Sequence, residues 1–574
     1  MSKLKPTDEQ DAIVSAALSG RSLKVEAYAG AGKTSTLKLV GEAMTSLPGD
    51  KRILYLAFNK ALADEAQRKI GVLGIECRTA HSLAFRNSSK DIRNRLSSNS
   101  MEIRDGYLRM IEKDARLGSL YSKASGAMVY AHASEGVDVT GDAGRRHMIG
   151  ALRDSIAAFE HSCDASLSAD HVSRGNYKLL SLMKFSLVKG NAFLRTPPNR
   201  REAKANEYLA KEFVAPIREL AESLWRESVR PGSTLKITHD TYLKLFQMSN
   251  PILPYDTIFV DEAQDLDPVM LDIIRNGGKD SQTIFVGDSH QQIYGWRGAT
   301  NAMALPGLPS LYLTQSFRFG DDDVADYANW VLDIKRATDK RFADMPRLRG
   351  NPALSTKIEN VDDATMIINR SNAGVLQSAI DVISAGGAPY LAGGTKKFTE
   401  YLNAAYDIRC GRASKHSDFL AFGDNYEALQ EFAETADGRD YKIVVNLVEK
   451  YGDKTPGISN MIASQTASDP SSATVYISTV HGVKGLESPN VRIGDDFSKA
   501  TSKDKDGEDV SFNPEVVNIC YVALTRAQKS LSPGSLHAAM EETRLDLEMP
   551  SRFVLSRERE LREEEEPESV CLAP

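Results

Sequence analysis

The 574-residue chain carries 41% hydrophobic and 26% charged side chains, a globular balance that argues against collagen-like, disordered and membrane classes and leaves length for roughly four domains. No apolar run approaches the ~20 residues that span a bilayer, and MSKLKPTDEQD lacks a secretory apolar core, so a cytoplasmic or nucleoid location, nuclear in a eukaryote, is expected. Five scattered cysteines without a CxxC fit a reducing compartment and argue against a zinc ribbon or disulfide scaffold, while the net charge of −7 says little until its distribution is known.

In chain order, DEQDAIVSAALS (Asp8 to Ser19) is a predicted helix and SLKVEAY (Ser22 to Tyr28) a predicted strand, followed by a glycine-rich turn and the helix TSTLKLVGEAM. RILYLAF (Arg52 to Phe58) and NKALADEAQRKI (Asn59 to Ile70) repeat the alternation. Residues 86–235 then read as mostly helical, with breaks such as TPPNR. Strand signals return in TIFVDE (Thr257 to Glu262), QTIFVGD (Gln282 to Asp288), TMIINR (Thr365 to Arg370) and ATVYIST (Ala473 to Thr479), with a helix-rich stretch over 391–470. Continuous apolar runs ending in polar turns suit parallel strands covered on both faces, so the chain reads as α/β.

Charge is uneven. Between Arg174 and Lys204 eight basic residues face one acid, Glu202, which fits either a solvated helical face or a track for a nucleic-acid backbone. Acids collect in SKDKDGEDVS and in the tail RERELREEEEPE.

AYAGAGKT (Ala27 to Thr34) sits between strand and helix, the context a phosphate-binding loop requires, with Ala27 in place of the first glycine of GxxxxGK[ST]. Gly30 and Gly32 let backbone N–H groups turn toward phosphate oxygens at the positive helix end. Ala29, Gly30, Ala31, Gly32, Lys33, Thr34 and Ser35 are therefore expected to hold ATP, with Lys33 reaching the β- and γ-phosphates and Thr34 placing its hydroxyl on Mg²⁺. Two acids end a buried strand in TIFVDEAQD, a costly placement unless a cation is near. Asp261 is expected to hold Mg²⁺, directly or at one remove, and Glu262 to orient and deprotonate water.

At VGDSHQQIYGWRGA (Val286 to Ala299) the chain resembles superfamily 1 helicases of the UvrD/Rep/PcrA type. The resemblance implies a γ-phosphate sensor at Gln291 and a base-stacking ring at Trp296. PTDEQ places Gln10 as the adenine-reading glutamine. LYLAFNKALADE resembles motif Ia, which implies that Phe58, Asn59 and Lys60 face single-stranded DNA, and TAHSLA implies the same of His81 and Ser82. LTQSFR implies an adenine-stacking Phe317 and a γ-phosphate arginine, Arg318. STVHGVKGLE implies a DNA contact at His481 and a ribose contact at Glu487, and NICYVALTRAQ a second arginine finger, Arg526.

Within that superfamily the chain most resembles the F-box DNA helicase family, on VEAYAGAGKT, LYLAFNKALA, TAHSLAF, KIVVNLVEKYGDKTPGI, STVHGVKGLESPNVRIGDDF and NICYVALTRA. The first predicted helix begins by Asp8, so an F-box ahead of it, and the ubiquitin-ligase role it would bring, are not expected. Motif V departs from the family at Gly482, Val483 and Ser488, beside the expected DNA track. The resemblance implies two RecA-like P-loop NTPase cores with parallel sheets, each carrying a mainly helical insertion. Core 1A would take 1–85 and 236–305, insertion 1B 86–235, core 2A 306–390 and 471–556, insertion 2B 391–470, and an acidic tail 557–574. It further implies an ATP-dependent 3′→5′ DNA helicase or translocase in repair or recombination, using ATP and Mg²⁺. Expected partners are single-stranded DNA, single/double-strand junctions and single-strand-binding or recombinase proteins, with no membrane. Stripping of recombinase filaments and a nucleotide-switched DNA clamp are the alternatives.

Overall fold

A computed structural model describes residues 5–133, 141–193, 195–295, 300–320, 323–435, 439–503 and 510–553. Trp296 and the tail 557–574 lie outside the described residues.

Six parallel strands form the first sheet: β1 (Leu23–Ala27), β2 (Ile53–Ala57), β3 (Glu76–Thr79), β4 (Thr257–Val260), β5 (Gln282–Gly287) and β6 (Ser310–Leu313), in the order β3-β2-β4-β5-β1-β6. Every residue of β1, β2 and β4 is buried, as expected of strands with helices on both faces. β7 (Gln315–Gly320) and β8 (Arg349–Asn351) pair with each other at the start of the second half. The second sheet is also parallel. It contains β9 (Lys357–Ile358), β10 (Met366–Asn369), β11 (Pro389–Leu391), β12 (Val475–Thr479) and β13 (Ser488–Ile493). A ribbon of β14 (Thr501–Lys503) and β15 (Val510–Phe512) precedes its last strand, β16 (Ala527–Ser532), and the sheet order is β11-β12-β10-β13-β16-β9. The two sheets are the centres of two RecA-like cores.

The first sheet reaches past residue 305, the expected edge of the first core, because β6 pairs with β1 from Lys24↔Ser310 to Ala27↔Leu313. Its residues run from exposed to buried along an edge strand, so it lacks the continuous apolar signature of its neighbours.

Helices dominate between β3 and β4. Ala115–Ala133, Gly141–Glu160, Tyr177–Lys189 and Ala215–Val229 pack around Met128, Met148, Phe159, Phe213 and Leu224. A second helical group between β11 and β12 buries Phe419, Phe422, Phe432 and Tyr441, and its cluster takes in Leu182 from the first group. The two cores share one apolar cluster: Val25, Val286 and Ile293 of the first sit with Val480, Val517, Tyr521 and Leu524 of the second.

Candidate functional site

The loop after β1 is built to bring backbone close to a ligand and to the second core. Gly30 and Gly32 adopt φ of 73° and 79°, the left-handed region that glycine enters without strain. A Cβ on Gly30 would lie 2.6 Å from Ser316 Oγ and 2.8 Å from Arg318 Cβ, so the approach of the second core also requires glycine there. Phe317 N–H donates to Gly30 O at 2.9 Å, and Ala29 N–H donates to the Tyr521 hydroxyl at 2.9 Å. Ala29 and Ala31 are buried, while Thr34 and Ser35 line the first turn of helix Lys33–Thr45.

Lys33 Nζ lies 3.1 Å from Glu262 Oε1. Burial alone would lower the Lys33 pKa, but the carboxylates of Glu262, Asp261 and Asp288 outweigh it and hold the pKa above the ordinary value. Glu262 itself has φ of 52°, a strained backbone for a side-chain-bearing residue, just after β4. Burial penalises its charge, yet Lys33 and Lys484 hold its pKa below the usual carboxylate range. Asp261 is shifted the other way, by burial and by the adjacent Glu262 charge, and it accepts a hydrogen bond from the Tyr55 hydroxyl. The two neighbouring acids thus differ: one is held ionised and the other is pushed toward neutrality.

Sequence reasoning passed over several residues that organise this pair. Gln264, fully buried, donates to Glu262 Oε2 at 2.7 Å and accepts from Asp288 N–H at 3.0 Å. Asp288 Oδ2 accepts from Gln291 Nε2 at 2.8 Å and from the Tyr521 hydroxyl at 3.2 Å. Lys484 donates to Asp265 and, at 2.6 Å, to Gln291 O. Gln264, Asp265 and Lys484 lie inside motifs already marked, but only the folded packing reveals their partners.

From the second core, Arg318 Nε donates to Glu487 Oε2 at 2.7 Å and Arg318 Nη1 to Thr525 O at 2.9 Å. Arg526 is buried and donates to Val522 O, Leu486 O and the Thr525 hydroxyl. Burial, reinforced by Arg318, lowers its pKa to about 9. Gln10 bonds the Thr36 hydroxyl at 3.1 Å, and both its amide and the half-exposed Phe317 ring lie within 4 Å of where a Gly32 Cβ would stand. Gly30, Phe317, Arg318, Glu487, Gln528 and Lys529 line a cavity of about 540 Å³.

The expected DNA residues fall into two places. Phe58 stacks on Tyr294 with ring centroids 6.3 Å apart, and Tyr294 meets the His481 ring at 5.7 Å. Lys484 Nζ lies 5.1 Å from the same tyrosine ring. Tyr294, passed over in favour of Trp296, is therefore the centre of this aromatic cluster. Asn59 and Lys60 are exposed, and the Asn59 side chain caps its helix by accepting from Leu62 N–H at 2.9 Å. His81 stands apart, bonded to Asp240 at 3.0 Å and edge-on to Tyr242, and Ser82 N–H donates to the Thr79 hydroxyl. Of the motif V departures, Val483 and Ser488 are buried and turned into the second core, Ser488 Oγ bonding Thr365 Oγ1 at 2.6 Å. They do not face a track. In the basic stretch Lys184 pairs with Glu202 and Lys189 with Glu431 of the second helical group, at 3.1 and 2.9 Å.

A lysine-bearing glycine loop after β1, paired acids after β4, one strand removed from it, and two arginines from the second core thus meet between two RecA-like cores. The chain belongs to the UvrD-like helicase family, residues 7–306 matching the UvrD/REP helicase N-terminal domain and residues 403–533 the UvrD-like helicase C-terminal domain. It is similar to "F-box DNA helicase 1" of Gallus gallus, 30% identical over 560 residues, covering 92% of this chain and 49% of that protein. It is also similar to "F-box DNA helicase protein 1" of Schizosaccharomyces pombe, 27% identical over 559 residues, 92% of this chain and 57% of that one. The chain thus spans about half the length of these relatives.

Proposed function

We propose that the chain is a DNA-dependent ATPase that translocates 3′→5′ on single-stranded DNA and unwinds duplex, working in DNA repair or recombination. The observation that carries this reading is the convergence of Lys33, Glu262 and Asp288 with the second core's Arg318 and Arg526 around one glycine loop. Phe317, which lines the cavity beside that loop, and Gln10, near Gly32, would flank adenine, with Glu487 toward the ribose. Among the described residues no group of three or more His, Cys, Asp or Glu is placed to hold a metal by itself. Thr34 and Asp261 offer one hydroxyl and one carboxylate, a sparse donor set that suits Mg²⁺, which takes few protein ligands and keeps waters, and they are the residues that would hold it. When bound, the ion would neutralise phosphate charge.

Glu262, held ionised, is the base that would orient water and accept its proton, and Gln264 fixes its carboxylate. Lys33 would exchange its Glu262 contact for phosphate oxygens. Arg318 and Arg526 would meet the charge that develops in transfer, so hydrolysis alters how the cores hold each other. The Phe58–Tyr294–His481 cluster, with Lys484 above it, would stack bases without reading them, worth ~1–3 kcal/mol per base. Lys484 touches both this cluster and Gln291 O, which gives the nucleotide and strand sites a common part. Expected ligands are single-stranded DNA and single/double-strand junctions. Single-strand-binding or recombinase proteins are the expected protein partners. Among the described residues no helix is long and apolar enough to cross a membrane.

The test is ATP hydrolysis with and without single-stranded DNA, then unwinding of 3′-tailed and 5′-tailed duplexes. Stimulation by DNA with unwinding of the 3′-tailed duplex supports the reading. Hydrolysis indifferent to DNA overturns it.

A further inference from the structure

The segment Asp288 to Gln292 is held by both cores. Its side chains reach both: Ser289 Oγ donates to Glu26 Oε1 of the first core at 2.8 Å and Gln291 Nε2 to Asp288, while Asp288 also accepts from Tyr521 of the second core and the His290 ring meets Tyr28 of the first and Phe342 of the second. The carbonyls of Ser289, Gln291 and Gln292 are taken by the second core, that of Gln291 by Lys484 at 2.6 Å. Lys335, on helix Asp323–Thr338, donates to Ser289 O at 3.3 Å, and Asn518, on helix Pro514–Leu524, donates to Gln292 O at 2.7 Å. Lys335 also donates to Asn518 Oδ1 at 2.8 Å, which joins the two grips into one unit bracketing Gln291.

Lys335 is 3% exposed, and among the described residues it makes no ion pair; its ammonium rests on two neutral oxygens and on the Phe342 ring, 4.1 Å away. Burial lowers its pKa to about 8, opposed by the more distant Asp288 and Glu26. An apolar side chain of similar length would be cheaper to bury there, so packing alone does not account for a lysine.

We infer that Lys335 and Asn518 are positioning residues that carry movement of the second core to the Gln291 turn, and so couple DNA occupancy to ATP turnover. The inference rests on the proposed DNA-dependent ATPase. When the second core shifts, the carbonyls on either side of Gln291 shift with it, while Glu26, through Ser289, and Gln264, through Asp288 N–H, keep the turn seated on the first core.

Lys335→Met, Asn518→Ala and the double variant, each checked by thermal melting, test this. The expected result is a loss of DNA-stimulated kcat by at least ~tenfold, while the DNA-free rate and the KM for ATP stay within about twofold. The double variant should lose no more than Lys335→Met alone, since both residues act through one unit. Full DNA stimulation in a folded variant overturns the inference, as does an equal loss of DNA-free and DNA-stimulated rates. If Lys335→Met does not fold, Asn518→Ala, which removes only an amide, decides. An unstimulated wild-type protein would instead sink the proposed function.

Discussion

Two helices start at the carboxyl ends of strands inside parallel six-stranded sheets, and their first turns are treated in opposite ways. Helix Lys33–Thr45 follows β1 with Gly32 at its N-cap, no side-chain cap among the described residues and no acid in its first turn. Helix Asn372–Ser384 follows β10, and there Ser371 Oγ accepts from Gly374 N–H at 3.1 Å. Asp496 accepts from Arg370 N–H, Ser371 N–H and Ser371 Oγ, at 2.9, 2.7 and 2.6 Å. Gly374 is what admits it, because a Cβ there would lie 2.2 Å from Asp496 Oδ2. A helix start is positive and rich in unbonded N–H groups, so it attracts an anion. The second core supplies that anion from its own chain, whereas the first leaves its helix start without one, as the proposed nucleotide site requires.

The harshest way to break the comparison is Lys33→Ala, which should reduce ATP hydrolysis to background while the protein melts normally. Wild-type turnover in that variant would mean that the first helix start is no nucleotide site. Next in size, Glu262→Gln should keep ATP binding and lower turnover by ~10²–10⁴-fold, since the amide keeps the shape but cannot take a proton. Loss of nucleotide binding as well would give Glu262 a structural role, a live contrast because it pairs with Lys33 at 3.1 Å.

Much of the first helix start was legible in the sequence because its signals are local. β1, β2, β4 and β5 are apolar runs buried on both faces, and a glycine loop followed by Lys and Thr has few other uses. The second helix start was not legible. Asp496 lies 125 residues from Ser371 in sequence and looks like any loop acid until β13 brings it back beside β10. The same limit hid Gln264, Lys484, Tyr521 and Lys335, whose roles arise only when separate elements meet. Tyr294 had a signal, an aromatic within QQIYGWRG, which the neighbouring tryptophan eclipsed.

The arginines sharpen the comparison from across the cleft. Arg318→Ala and Arg526→Ala should each cut DNA-stimulated turnover by at least ~tenfold, with smaller changes in ATP affinity, because their charge matters most where the transition state develops it. Arg526 carries three hydrogen bonds in a buried setting, so its variant should also melt earlier than the Arg318 variant. Normal turnover in either would confine the chemistry to the first core.

The smallest expected effect tests the second helix start directly. Asp496→Ala removes the acceptor of two backbone N–H groups and the Ser371 hydroxyl. Losing such a cap costs about 1–2 kcal/mol, read as an earlier melt or a lower denaturant midpoint. Asp496→Asn keeps one acceptor oxygen and should recover part of that loss. ATP turnover should stay within about twofold in both, since the nucleotide reads the other helix and loses no contact. A well-folded Asp496→Ala protein with ATP hydrolysis reduced tenfold or more would show that the second helix start serves the reaction, and the contrast between the two cores would fail. Unchanged stability would fail it differently, by showing that this helix needs no anion at its start.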